Sequence, residues 1–222
     1  MLSFLMKKID MPTAETALKG RDEAVLEPNP HAVNGNPIVP PFPAGLGRLL
    51  VGMGCFWGAE RVFWQTPGVF TTSVGYAGGH TINATYQEVC SGATGHTEVV
   101  EVIYDPKVID TAAVLKIFWE NHDPTQGMRQ GNDVGTQYRS AIYADDEATL
   151  TIARQSRDAY NAALQKAGRP AITTEIGTAG QYYLAEDYHQ QYLHKNPGGY
   201  CGIAGCGVKF EMPAPSAEES GR

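Results

Sequence analysis

Strand and helix signals alternate through the middle of the chain in the order β-α-β-β-α-β-α-β, and few folds accommodate that order. Residues 46–53 (LGRLLVGM) form an apolar run of the length of a buried strand. Residues 55–66 follow, with Phe56, Ala59, Val62 and Phe63 at helical spacing, and Pro67-Gly68 stops them. Residues 69–76 and 97–104 (TEVVEVIY) read as strands, the second stopped by Asp105-Pro106. A helix is predicted over 111–121 with Asp110 as its cap. Residues 138–143 make a short strand, and Asp145 or Asp146 caps a longer helix that ends at Ala167, before Gly168. A further strand is predicted over 171–176, and a short helix from Ala185 carrying EDYHQQYL. Hairpin-like strand neighbours joined to crossing helices predict an α+β fold, a two-layer sandwich with a ferredoxin-like (split βαβ) core. A doubly wound sheet is disfavoured, because the strands are few and no Gly-rich turn of dinucleotide-binding form follows the first one.

The 222 residues fit one domain. Seven of the 14 prolines lie between Pro12 and Pro43, and residues 27–47 lack apolar periodicity. The chain therefore divides into an irregular arm (1–45) laid over the domain surface, a single α/β domain (46–212) and a disordered polar tail (213–222). For residues 1–25 a disordered leader is the alternative. The chain carries 17 Lys+Arg against 24 Asp+Glu, a net charge of −7, with no basic run. That argues against a nucleic-acid phosphate binder. The longest apolar stretch, residues 49–59, holds three glycines and falls short of the ~20 residues of a membrane helix. The apolar MLSFLM precedes Lys7 and Lys8, and no signal-peptide core follows. We expect a cytoplasmic protein, and a monomer, with no membrane partner. Four cysteines are too sparse for a disulfide scaffold, so catalytic, redox or metal-binding roles come to the front.

Cys55 sits between the first strand and the first helix, in Gly-Met-Gly-Cys-Phe-Trp-Gly. The glycines permit a sharp turn and close approach of a ligand. A thiol at a helix N-terminus meets free N–H groups and the positive end of the helix dipole, which favour thiolate. The same position also suits a small buried residue at a tight junction.

The segment GCFWGAERVFWQTPGV resembles the signature of A-type peptide methionine sulfoxide reductases. GYAGG (75–79), TYQEVCSGATGHTEVVEVIYDP (85–106), FWENHDPTQGMRQGNDVGTQYRSAIY (118–143) and HQQYLHKNPGGYCGIAG (189–205) agree with it, in order, across residues 46–208. The resemblance implies reduction of methionine sulfoxide in oxidised proteins, with preference for the S epimer and a role in repair of oxidative damage. No metal or organic cofactor is implied. The external reductant would be thioredoxin, or dithiothreitol in vitro.

Cys55 is then the nucleophile at sulfur, and the sulfoxide oxygen needs a proton. Glu98 matches the family's acid. It shares a strand face with Val100, Val102 and Tyr104, where a carboxyl tends to stay protonated. Without the resemblance it reads as the exposed start of a strand. Tyr86 and Tyr138 match two phenols that donate to the sulfoxide oxygen, though each also suits ordinary packing. Asp133 matches an acidic residue of the same pocket, whereas its GND context alone reads as a turn. Phe56 and Trp57 match the aromatic pair that cradles the substrate methyl, and His189 a histidine beside the site. The bland readings are helix-start core and a satisfied structural histidine.

Attack by Cys55 would leave a sulfenic acid, and Cys201, in a glycine-rich context, matches the cysteine that resolves it. Some relatives carry a recycling cysteine eight residues later, but residue 209 is a lysine here. Cys206 is the later thiol, either closing a small disulfide with Cys201 or standing by. Cys90 reads as a structural thiol. Ala84 replaces a proline of many relatives and is expected to loosen the loop before Tyr86. Three rival readings remain: a zinc site, for which the cysteines are too scattered; a cysteine hydrolase using His96 or His189 as base; and a non-enzymatic interaction module.

Overall fold

The computed structural model describes residues 9–212. The expected disordered tail (213–222) and the first eight residues of the expected leader lie outside them. Strand β1 (Gly47–Met53) leads into helix α1 (Phe56–Trp64), then β2 (Val69–Ala77), a one-turn helix α2 (Tyr86–Cys90) and β3 (Thr97–Tyr104). Helix α3 (Thr111–Asn121) follows, then a hairpin of β4 (Arg129–Gln130) and β5 (Asp133–Val134), and β6 (Ser140–Ala144). Helix α4 (Glu147–Lys166), β7 (Glu175–Thr178), β8 (Tyr183–Leu184) and a short α5 (Tyr192–Lys195) complete the order.

The main sheet runs β7-β6-β1-β3-β2-β8. Its centre, β6-β1-β3-β2, is antiparallel throughout, with β3 inserted between the two strands that α1 connects. That is the split βαβ arrangement expected from the order of elements. Helix α4 crosses over to place β7 parallel to β6, and β8 adds antiparallel to β2.

Alternation along the strands divides the two faces. Leu49, Val51, Met53, Val100, Val102 and Tyr104 point to the face that α1, α3 and α4 cover, and pack against Phe56, Phe63, Phe118, Trp119 and Tyr160. Leu50, Val99, Ala141 and Tyr143 form a smaller cluster on the other face, with Ala179 and Tyr182 against them. Burial on both faces explains why β3 is buried along its whole length.

Where local signals were strong, the element bounds follow them. Asp110 accepts from the Ala113 N–H and Asp146 from the Thr149 N–H, so both expected caps form. Residues 171–174 depart from the strand expected there. Their backbone pairs with other partners, the Ile172 N–H with Asn161 Oδ1 and the Thr173 N–H with the Pro124 carbonyl, so β7 starts at Glu175. The helix expected from Ala185 shrinks to Tyr192–Lys195. Gln190 and Gln191 bind β2 and α1 instead, and Gln191 adopts a left-handed conformation (φ +47°) that interrupts any helix. Tyr138 lies in a 3₁₀ turn rather than in β6.

The N-terminal arm follows the domain without regular structure. Gly20 forms a parallel bridge with Ile82, Arg21 pairs with Glu88 at 2.8 Å, and the His31 ring nitrogen Nε2 meets Thr72 Oγ1 at 3.0 Å. In the loop before Tyr86, Ala84 is fully buried, and Thr85 and Glu88 close a capping box around the start of α2.

Candidate active site

Cys55 is the N-cap of α1, set there by the turn at Gly54 (φ +85°). A Cβ at Gly54 would fall 2.5 Å from the Gln130 side chain, so only glycine fits between the end of β1 and β4. The first free N–H groups of α1 then have two partners. The Phe56 N–H donates to Glu98 Oε2 at 3.0 Å, and the Trp57 N–H lies near the Cys55 sulfur, where it favours the anion.

Glu98 lies opposite Tyr76 in the β2–β3 ladder and is 1 % exposed, so it is no exposed strand start. Burial pushes its carboxyl up to about 8, the Phe56 N–H pulls down, and Asp133 pushes up again. The acid is protonated at neutral pH. The thiol of Cys55 departs from the expectation of a thiolate. Burial above all, then the charge of Glu98, push it well above its ordinary value, and the Trp57 N–H recovers only part of that. The resting pair is therefore neutral, a thiol beside a carboxylic acid.

Two phenols face the same space. Tyr86 opens α2 and Tyr138 closes the 3₁₀ turn, and burial raises both well above the ordinary tyrosine value, with Glu98 adding to it. Both stay protonated, as donors. Asp133 begins β5 within electrostatic reach of Cys55 and Glu98, and its Oδ2 accepts from the Tyr200 hydroxyl at 3.1 Å.

An aromatic wall stands on the other side. The His189 ring packs against Tyr86 (centroids 4.5 Å apart), Phe56 (5.2 Å) and Trp57 (5.7 Å). The Trp57 indole N–H donates to His189 Nδ1 at 3.0 Å, which puts the proton on Nε2. Burial pushes His189 down to about 4, so it is neutral at pH 7. Phe56 is fully buried, whereas Trp57 is partly open and stacks on Tyr192 at 3.9 Å.

Cys201 lies beside α1, with its Sγ 3.0 Å from the Arg61 guanidinium. Cys206 is not part of this cluster. Its thiol is 3.2 Å from the Tyr160 hydroxyl on α4, and its carbonyl accepts from Arg169. Cys90 shares a hydrogen bond with the Tyr86 hydroxyl. The structure thus gathers Cys55, Glu98, Tyr86, Tyr138, Asp133, Phe56, Trp57, His189 and Cys201, and leaves Cys206 apart.

The supporting residues were not singled out in the sequence. Glu186 accepts from the Tyr76 hydroxyl and the Tyr86 N–H. Glu60 is fully buried on α1, where burial pushes it up to about 7 while bonds from Gln191 and Thr72 pull down. Those bonds hold the His189–Tyr192 segment against α1. Glu60 did have a signal: it falls four residues after Phe56, on the apolar face of the helix.

This geometry bears on the rival readings. Both ring nitrogens of His96 are used, Nδ1 by the Gly79 N–H and Nε2 by the Thr81 carbonyl, so it is no base for Cys55. Among the described residues no three His, Cys, Asp or Glu side chains are grouped to hold a metal ion, and no helix is long and apolar enough to cross a membrane.

A family model described as peptide methionine sulfoxide reductase matches residues 48–212. The chain belongs to that family. It is 63 % identical over 209 residues to the peptide methionine sulfoxide reductase MsrA of Agrobacterium fabrum, covering 94 % of this chain and 97 % of that one. It is 59 % identical over 216 residues to the MsrA of Rhodospirillum centenum, covering 97 % and 99 %. The solved structure of methionine sulfoxide reductase A of Corynebacterium diphtheriae superposes with a TM-score of 0.82 at 50 % identity, covering 90 % of this chain and 99 % of that one. As a peptide methionine sulfoxide reductase the protein is an oxidoreductase, and its α+β sandwich is that of the family.

Proposed function

We propose that the protein reduces the S epimer of methionine sulfoxide in oxidised proteins, with Cys55 as nucleophile and Glu98 as acid. One observation carries the mechanism: the buried Glu98 carboxyl is bound to the Phe56 N–H at the same helix end that presents Cys55. A sulfoxide is a poor electrophile until its oxygen is protonated, and a carboxyl with a pKa near 8 is an available acid at pH 7. Tyr86 and Tyr138 donate to the oxygen, Phe56 and Trp57 seat the methyl group, and Asp133 positions substrate or water. His189, neutral, holds the Trp57 indole in place.

Cys55 Sγ takes the oxygen from the sulfoxide sulfur. Methionine leaves, reduced by two electrons, and Cys55 becomes a sulfenic acid. The Cys201 thiol then displaces that oxygen as water and forms a Cys55–Cys201 disulfide. A dithiol protein of the thioredoxin type reduces the disulfide by exchange, so the cycle needs no metal or organic cofactor. We include Cys206 as the thiol that passes the disulfide on.

The test is turnover of peptides carrying either sulfoxide epimer with thioredoxin, thioredoxin reductase and NADPH. Loss of the S epimer with matching NADPH oxidation is expected. No turnover of either epimer, even with dithiothreitol, would overturn the reading. Cys201→Ser is expected to release one methionine per enzyme and stall as a trappable sulfenic acid with thioredoxin, while dithiothreitol still supports turnover. For Cys206→Ser, thioredoxin-driven turnover that collapses while dithiothreitol still works supports the relay. Unchanged turnover would make Cys206 a bystander.

A further inference from the structure

The Cys201 thiol rests on α1 at a place prepared for it. Gly58 lies one turn beyond Cys55, and Arg61 one turn further. A Cβ at Gly58 would come to 3.0 Å from Cys201 Sγ and from Ile203 Cβ, tight enough that the thiol or the isoleucine would have to shift. The helical backbone here would accept alanine and gain from it, so the glycine provides space rather than conformation. Over that bare patch the Arg61 Nη2 donates to Cys201 Sγ at 3.0 Å. Among the described residues Arg61 makes no ion pair with a carboxylate, and this is its one side-chain hydrogen bond. A guanidinium is always charged, and its hydrogen bond to sulfur strengthens when the sulfur becomes an anion.

We propose that Arg61 is a positioning residue for the second half of the reaction, holding Cys201 Sγ one turn below Cys55 and stabilising its thiolate as it attacks the sulfenic acid. The inference rests on the reading of Cys55 as nucleophile and Cys201 as resolving thiol. In the step concerned, Cys201 gives up its proton and its thiolate attacks Cys55 Sγ. The S–S bond forms and the S–O bond breaks. The departing hydroxide is protonated, so water is the by-product. The Cys201 sulfur is oxidised and the Cys55 sulfur is reduced, with no outside oxidant. Methionine has already left, so Arg61 acts on resolution and not on sulfoxide reduction. Arg61 also lies in the last turn of α1, where any cation favours the helix dipole. That role alone would change stability and leave the balance between the two steps untouched.

The experiment is rapid quench of the reduced full-length protein with a methionine sulfoxide peptide and no reductant. Methionine release and Cys55–Cys201 disulfide formation are followed separately, and sulfenic acid is trapped with dimedone. In Arg61→Gln we expect release to keep its rate and disulfide formation to slow roughly 10- to 100-fold, with sulfenic acid accumulating. Arg61→Lys, which keeps the charge, recovers most of the rate. Gly58→Ala, which keeps Arg61 but crowds the thiol, slows the same step. Disulfide formation at the wild-type rate in Arg61→Gln overturns the proposal. So does equal slowing of both steps, or a lysine variant no better than glutamine. The reading beneath it fails on a different result: wild-type protein that releases no methionine, or a Cys201→Ser variant in which Cys55 still enters a disulfide with another cysteine as fast as in wild type.

Discussion

Cys55→Ser is expected to release no methionine from a sulfoxide peptide, with thioredoxin or with dithiothreitol. The reaction requires the nucleophile to accept an oxygen and supply two electrons, and a serine hydroxyl can do neither. Loss on the order of 10⁶-fold is the scale seen when a covalent nucleophile is removed. The fold should survive, because the helix N-terminus gains a hydroxyl, a group favoured at an N-cap. Cys55 now offers α1 no side-chain cap bond. A melting temperature at or above wild type, together with absent single-turnover release, is the expected pair of results. Single-turnover release that persists in Cys55→Ser would remove Cys55 from the chemistry and leave Cys201 or Cys90 as the reacting thiol.

Glu98→Gln is expected to slow methionine release by about 10²- to 10⁴-fold, the range for losing a positioned general acid. An amide can still accept from the Phe56 N–H but cannot deliver a proton to the sulfoxide oxygen. In wild type the release rate should fall as pH rises through about 8, where the Glu98 carboxyl loses its proton. The variant should lack that limb. A variant with the wild-type pH profile would show that another group supplies the proton.

The same substitution should stabilise the protein at high pH. Glu98 has its pKa raised from 4.5 to about 8 on folding. Between those values the folded state holds a proton that the unfolded state releases. The stability present below about 4.5 is therefore lost progressively as pH rises toward 8. Glutamine carries no such penalty, so at pH 9 Glu98→Gln should exceed wild type by on the order of a few kcal/mol, and at pH 4 the two should be close. Denaturant titrations at the two pH values measure the difference. Glu60, raised to about 7 by burial, contributes a similar slope to both proteins and cancels in the comparison.

Much of this was legible locally. Residues 97–104 and 111–121 appear with the expected bounds, because an apolar strand, an Asp-Pro stop and an Asp cap act within a few residues. The segments around 171–176 and 185–192 were not legible. Thr173 bonds to the loop at Pro124, and Gln190 and Gln191 bond to β2 and α1, partners remote in sequence that outweigh local periodicity. The face of β3 that carries Glu98 could be read from alternation, but its protonation could not. The end of α1 that covers it is 42 residues away along the chain.

The sequence alone determined the order of the main strands and helices and the split βαβ core, through short-range periodicity and caps, while the short elements α2, β4, β5 and β8 escaped it. The residues around Cys55 were legible only through the resemblance of their motifs to a known family. Only the tertiary structure decided that Cys55 rests as a thiol. Burial and the neighbouring carboxyl outweigh the helix N-terminus, and burial is a property of what packs from elsewhere. It also decided that Cys206 sits with Tyr160 instead of at the site, and that Cys201 lies over Gly58 beside Arg61. Each depends on where the C-terminal coil crosses the helices. That coil has no internal periodicity, so its path is set by the surfaces it meets.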